Sequence, residues 1–238
     1  MITTSQNRAP CISLPSRGLT HERLLSLLQI STNDTGAGAE KVAWNFFRGY
    51  REAGYRSWLA VGTKRGDDPD VLQIPRVTSG PSSRYWYHMQ RRLDPFQGRS
   101  KFVSRPRPHL RMLANPRHEL QSRLGLEDFE FPREVSASFA PHRPDIVHCH
   151  KSPRRLLRSA AIAPLSRRVP VVFTLHDAWL LSGHCAHSFD CKRWKSGCGR
   201  CPDLIIYPAI GRDAIAWNWR RKNRIYAESR LYGATPSR

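Results

Sequence analysis

The sequence lacks long hydrophobic runs. No stretch of about 18 apolar residues occurs in it, which argues against a transmembrane helix. The first residues, MITTSQNRAPCISLPSRG, also lack the apolar segment of a secretory signal peptide. We therefore expect a cytoplasmic protein. Thiols stay reduced in that compartment, so the six cysteines are expected to be free, structural or metal-bound rather than paired in disulfides.

Acidic side chains are scarce: the sequence has 19 Asp and Glu but 39 Lys and Arg, which gives a formal net charge of +20. Such an imbalance predicts an anionic partner, which is a phosphate-bearing ligand, a nucleic acid or an anionic membrane. The excess is greatest between Gly80 and Arg123, where ten basic residues accompany two acidic ones. We expect residues 80–135 to form a basic, irregular insertion that is either simply solvated or docked on anionic lipid.

The remaining chain alternates between strand and helix patterns. Residues 1–22 show no periodicity and are expected to be a disordered lead-in to a domain spanning 23–238. Short apolar runs bounded by turn residues predict parallel strands, and apolar residues at helical spacing predict the helices between them. The predicted strands are 24–31, 57–62, 144–150, 170–177 and the final 231–238, and the predicted helices are 39–54, 153–165 and 212–229. This order indicates an α/β fold with a Rossmann-like, doubly wound parallel sheet.

The first predicted strand runs into a glycine-rich turn, TGAGAEK, at the start of a helix. Gly36 and Gly38 would let backbone N–H groups approach a diphosphate, and Glu40 opens the helix. The turn is not the complete G-x-G-x-x-G dinucleotide fingerprint, and any tight turn between a strand and a helix favours glycine. A phosphate site and a purely structural turn are both open here.

Histidines end two of the predicted strands. His148 and His150 end one strand, and His176, followed by Asp177, ends another. The carboxyl ends of parallel strands face the ligand crevice, and side chains alternate, so these histidines should meet at one edge. Asp177 could orient the ring of His176. Alternatively, each histidine is a hydrogen-bonded structural residue.

Four cysteines are concentrated in an insertion expected at 178–210. Cys185, Cys191, Cys198 and Cys201 have the spacing C-x5-C-x6-C-x2-C, and the last pair has the spacing of a zinc knuckle. The alternatives are a structural zinc, buried free thiols or a disulfide. A catalytic zinc is not expected, because four thiolates leave no open coordination position.

Several of these stretches together resemble the N-terminal domain of the family 4 glycosyltransferases, particularly the bacterial enzymes of colanic-acid and exopolysaccharide assembly. They are TGAGAEKVAWNFFRGYREAGYRSWLAVG, PDIVHCHKSP, PVVFTLHDAWLLSGHCAHSFDCKRWKSGCGRCP and the closing ATPSR. The resemblance implies one half of a GT-B fold, with the active site in a cleft between two Rossmann-like domains. It also implies transfer of a sugar from a nucleotide-sugar donor, with retention of configuration and without a catalytic metal.

Matching positions assign roles by resemblance. His176 corresponds to the catalytic histidine beside the donor sugar, His150 to a polar residue that ends the preceding cleft strand, and Gly36 and Gly38 to the glycine loop near donor and acceptor. Family members continue after a TPS-like turn into a domain that binds the donor nucleotide. Because this sequence stops at ATPSR, we expect that C-terminal domain to be absent.

Two classes of function remain at this point. The first is a glycosyltransferase domain acting on a nucleotide sugar and a saccharide or lipid-linked acceptor, with peripheral contact to the inner face of the membrane. The second is a basic binding module that grips nucleic acid or an anionic membrane through the Arg-rich stretch and the cysteine cluster. Nucleic acid is the less favoured partner, because no recognised nucleic-acid motif accompanies the basic residues.

Overall fold

A computed structural model of the chain describes residues 24–36, 38–74, 85–86, 88–89, 112–113, 116–127, 140–150 and 159–235. The predicted lead-in 1–22 and most of the basic insertion 80–135 lie outside the described residues.

Six parallel strands form one sheet, in the order β3-β2-β1-β4-β5-β6. The strands are β1 (Ser26–Asn33), β2 (Arg56–Thr63), β3 (Val71–Gln73), β4 (Ile146–Cys149), β5 (Val171–Thr174) and β6 (Leu231–Ala234). The order reverses between β1 and β4, which is where open α/β sheets bind their ligands. The predicted Rossmann-like, doubly wound class is confirmed.

Helices cover both faces of the sheet. They are α1 (Ala39–Glu52), α2 (Pro116–Arg123), α3 (Ser159–Ser166) and α4 (Ile215–Ala227), with a 3-10 turn at Arg193–Lys195. On one face, Phe47 of α1 packs against Leu59 and Val61 of β2. On the other face, Ile162 of α3 and Ile225 of α4 belong to the main apolar core.

The ends of several elements differ from the prediction. The first strand was expected to begin at Leu24, but Leu24 is exposed and β1 begins at Ser26. The Ser26 backbone N–H and hydroxyl both donate to the carboxylate of Asp145, at 2.9 and 2.7 Å, just before β4. A distant partner therefore sets this boundary. The three-residue strand β3 was missed because it is too short to show alternation.

A buried ion pair joins the cysteine-rich insertion to the rest of the domain. Lys222 Nζ of α4 lies 2.8 Å from Glu127 Oε2, and both side chains are about 5% exposed or less. The indole N–H of Trp179, three residues after His176, donates to Glu127 Oε1 at 2.6 Å. Lys222 also donates to the carbonyls of Trp179 and Ser182, at 2.8 and 2.9 Å, and lies 3.6 Å above the Trp179 ring. These contacts fix the chain that leaves β5.

Neighbouring side chains complete this network. Asn218 Nδ2 donates to the Gly125 carbonyl, and its Oδ1 accepts from the Glu127 N–H. Arg221 donates to the Glu127 carbonyl. A Cβ on Gly125 would lie within 2.0 Å of the Arg212 carbonyl, which shows how closely this segment approaches the one before α4.

Removing one member of the ion pair should be costly. We expect Glu127→Leu to lower the free energy of unfolding by about 3 to 5 kcal/mol, because Lys222 would stay buried without a counter-charge. The double variant Glu127→Leu, Lys222→Met should recover much of that loss. Urea unfolding measures both.

The control is Glu119→Leu, which removes the half-buried partner of the exposed Arg123 on α2. It should cost below about 1 kcal/mol. If Glu127→Leu and Glu119→Leu shift the urea midpoint equally, the buried pair has no special role.

Candidate active site

The structure brings the three histidines together at the carboxyl edge of β4 and β5. The ring centroids of His148 and His150 are 3.9 Å apart, and that of His176 is 6.2 Å from His150. His148 and His150 lie on the face covered by α1, where Phe46 packs on both rings. Cys149, between them, points into the opposite apolar core, as the alternation of a strand requires.

Hydrogen bonds from neighbouring strands fix two of these rings. Fully buried His150 contacts Gln29 of β1, with 2.6 Å between Nε2 and Oε1. An amide oxygen only accepts, so the Nε2 of His150 carries the proton and its Nδ1 holds a lone pair. His148 Nε2 lies 2.8 Å from the hydroxyl of Thr174 on β5. Polar side chains from three strands are thus hydrogen-bonded to one another at this edge. Nothing in the sequence predicts the roles of Gln29 and Thr174 beyond their places on strands.

Both buried imidazoles are neutral at neutral pH. Burial, and then the nearby His176, lowers the pKa of His148 from 6.5 to about 4. Burial, and then His148 and His176, lowers the pKa of His150 to about 3. The cluster therefore offers hydrogen-bonding nitrogens rather than positive charge.

These pKa values predict how stability changes with pH. The unfolded imidazoles take up protons as the pH falls below 6.5, whereas folded His148 and His150 do so only near pH 4 and 3. The stability that depends on neutral imidazoles is therefore complete above pH 6.5 and is lost as the pH falls toward 4 and 3.

We expect His150→Gln to reduce the pH dependence of the unfolding free energy between pH 6 and 4 by up to about 1.4 kcal/mol per pH unit. Denaturant titrations at several pH values measure this slope. His142→Gln, which changes an exposed histidine before the amino end of β4, is the control for replacing a histidine by glutamine. An unchanged slope in His150→Gln would contradict the assignment of its pKa.

The glycine turn lies at the same edge, between β1 and α1. Gly38 precedes the first helical residue with φ of 64°, and no side chain caps the helix there. A Cβ on Gly36 would lie 3.2 Å from Cβ of buried Glu40, in the first turn of α1. The two glycines therefore allow a close turn. The first backbone N–H groups of α1, which have no partner within the helix, are directed toward this edge of the sheet.

Asp34 supports this turn. Its carboxylate accepts hydrogen bonds from the backbone N–H groups of Arg65 and Gly66, at 2.9 and 2.6 Å, which follow β2. Burial alone would raise the pKa of Asp34, but these hydrogen bonds outweigh burial and hold the pKa below its usual value. The sequence analysis missed Asp34, although an Asp just before a glycine turn is a signal of such bonding.

Gly38 should be the glycine that the turn needs most. Gly38→Ala is expected to lower the unfolding free energy by about 1 to 2 kcal/mol, because a residue with a Cβ is strained at that φ. Gly49→Ala is the matched control: Gly49 lies inside α1 with open space at its Cβ. It should be neutral or stabilising by up to about 1 kcal/mol. Thermal unfolding of both variants checks this, and equal losses would contradict it.

Asp177 immediately precedes the cysteine-rich insertion. Its Oδ1 accepts the backbone N–H of Trp179 at 3.0 Å, which turns the chain away from the sheet. Its predicted role beside His176 remains a prediction.

None of the four cysteines of the insertion forms a disulfide. Burial raises the pKa of Cys198, and the nearby thiols of Cys185 and Cys191 raise it further. The thiol of Cys201 donates a hydrogen bond to the Asp203 carbonyl, with 3.2 Å between Sγ and the oxygen. Across the described parts of the chain, no three His, Cys, Asp or Glu side chains are arranged to hold a metal ion. Structural zinc at these cysteines stays a prediction, which metal analysis of the purified protein would check.

The family model of the glycosyl transferase 4-like domain matches residues 37–221, well over half of the chain. The chain belongs to the glycosyl transferase 4-like family. The matched range contains all three clustered histidines and the four cysteines of the insertion, and it begins one residue after Gly36.

One relative of this glycosyl transferase 4-like domain is WcaC of Escherichia coli (strain K12), whose name describes a glycosyl transferase of colanic acid biosynthesis. The two are 37% identical over 65 residues, which are 27% of this chain and 16% of the relative. The alignment therefore spans less than a fifth of that protein. No solved structure matches the chain. Among the helices that the structure describes, none is long and apolar enough to cross a membrane.

Proposed function

We propose that this glycosyl transferase 4-like domain transfers a sugar from a nucleotide-sugar donor to a saccharide or lipid-linked acceptor, with retention of configuration. The observation that carries the proposal is the cluster of His148, His150 and His176 beside a glycine turn, at the ligand-binding edge of a chain of this family. The partial match to WcaC supports an exopolysaccharide or related glycan as the product.

His176 is the residue that we assign to the reacting sugar. It lies two residues after the end of β5, beside a pair of buried, neutral imidazoles. Neutral nitrogens suit the hydroxyl groups of a sugar, which exchange hydrogen bonds but carry no charge. The ring of His150, held by Gln29, lies 6.2 Å from the ring of His176 between their centroids. His176 thereby orients the sugar, and orientation is a large part of catalysis in group transfer.

The start of α1 suits the anionic part of the donor. Gly36 and Gly38 allow a close approach of ligand to backbone, and the N-terminal end of a helix favours phosphate. N–H groups at this end would stabilise the charge that develops on the leaving diphosphate. Glu40, in the same first turn, is buried and stabilises the helix end from within.

Donor binding and the role of His176 can be tested together. His176→Ala should abolish sugar transfer in the chain completed with a matching C-terminal domain, while circular dichroism and the melting temperature stay close to wild type. His142→Ala, which removes an exposed histidine from the opposite edge, is the control and should keep full activity. A panel of nucleotide sugars, tested by calorimetry and turnover, supplies the donor. Full activity in His176→Ala would refute the assignment.

A further inference from the structure

Gln29 is a fully buried polar residue in the middle of the sheet. Its neighbour on β2 is Leu59, which packs against α1, and its neighbour on β4 is His148. An apolar side chain at this position would pack well against Leu59. The presence of an amide here therefore requires an explanation other than packing.

The amide of Gln29 has only part of its hydrogen bonds. Its Oε1 lies 2.6 Å from Nε2 of His150, whereas its Nε2 has no hydrogen-bond partner among the described residues. The same is true of the hydroxyl of Ser31, the next residue but one on β1, which is also fully buried. A buried polar group without a partner costs free energy that an apolar side chain does not. Stability alone therefore does not explain Gln29, and the contact with His150 is what this residue provides.

An amide acts on an imidazole differently from a carboxylate. The oxygen of Gln29 accepts the N–H of a neutral His150 and adds no charge, so the ring keeps its proton on Nε2. A glutamate of the same length would place a negative charge there and would favour a protonated ring. Glutamine thus holds one tautomer of His150 without promoting its protonation.

The charge of His150 affects the rings beside it. Its centroid lies 3.9 Å from that of His148 and 6.2 Å from that of His176. Burial, and then these two histidines, lower the pKa of His150 to about 3. Since this coupling is mutual, a proton on His150 would disfavour a proton on either neighbour and would place a positive charge inside the cluster.

The other elements packed near His150 add few titratable groups. Strand β1 contains only uncharged residues. Helix α1 covers the ring with Phe46, which is uncharged, and its titratable side chains nearby in the chain are Glu40, buried beside Gly36, and Tyr50, which stacks on Phe46. The state of His150 is therefore set mainly by Gln29 and the other two histidines.

We propose that Gln29 is a positioning residue for sugar transfer. Through its hydrogen bond it holds His150 in one tautomer and one orientation, and it thereby keeps the imidazole cluster beside His176 uncharged. Neutral imidazoles can donate and accept hydrogen bonds, as the hydroxyl groups of a sugar require. The role in transfer rests on the proposed function, whereas the control of His150 by Gln29 does not.

NMR of the full chain with isotope-labelled histidine tests the control of His150, whose signals are identified by their loss in His150→Gln. The wild-type ring should be neutral at neutral pH, with its proton on Nε2. Gln29→Glu should either protonate both ring nitrogens or move the proton to Nδ1, because a carboxylic acid can donate to Nε2. Gln29→Met removes the acceptor and should give a mixture of tautomers. The matched control is Gln73→Glu, at an exposed glutamine of β3, which should leave these signals unchanged.

Kinetics of the chain completed with a matching C-terminal domain test the role in transfer. We expect both Gln29 variants to lower kcat at least about tenfold with a smaller change in the KM of the donor, because the reacting groups are displaced while the binding contacts remain. Gln29→Glu should also move the acid limb of the pH profile of kcat to higher pH, because a carboxylate raises the pKa of His150. Gln73→Glu should keep the wild-type kcat and profile.

Unchanged His150 signals in both Gln29 variants, with the far-UV spectrum intact, would overturn the proposal. Wild-type kcat in both variants would overturn it as well. If Gln29→Met does not fold, Gln29→Glu, which keeps the shape of the side chain, decides the question. A wild-type chain that turns over no donor refutes the proposed function instead, and the NMR signals then decide separately whether Gln29 controls His150.

Discussion

The buried ion pair of Glu127 and Lys222 is the interaction on which the functional edge depends. It ties α4 to the segment after α2, and through Trp179 it fixes the chain that leaves His176. Two charges in the interior are tolerated because each is the other's partner and each also has hydrogen bonds, Lys222 to two carbonyls and Glu127 to the indole of Trp179. The pair thereby anchors the start of the irregular insertion, three residues after His176.

The face of the sheet beneath α1 changes character from β2 to β4, and this change creates the site. Leu59 and Val61 pack against α1, whereas Gln29, His148 and His150 place polar groups next to them. Burying imidazoles costs stability and keeps them uncharged. These neutral polar side chains lie beside the start of α1. Such an arrangement suits a ligand that joins a neutral sugar to an anionic diphosphate. The cysteine-rich insertion extends from the same edge of the sheet to the surface.

Much of the fold could be predicted from the sequence. The apolar runs and helical spacings located β1, β2, β4, β5 and α1 to within a few residues, and the order of elements predicted the parallel sheet. Side-chain alternation placed His148 and His150 on one face, opposite Cys149. These features are local: backbone hydrogen bonding imposes the periodicities, and a helical crossover between successive strands makes them parallel. The sequence by itself therefore determined the fold class and the edge at which chemistry is expected.

Only the tertiary structure decided how that edge is assembled. Gln29 binds His150 across 121 positions and Glu127 binds Trp179 across 52, and neither pairing leaves a pattern in the sequence. The same holds for the pKa values of the buried histidines, because burial and neighbouring rings lower them rather than residue type. The start of β1 depends on Asp145, and the support of the glycine turn depends on N–H groups that follow β2. Local periodicity selects the elements, whereas contacts between residues distant in the chain, which form only on folding, fix the geometry and charge of the site.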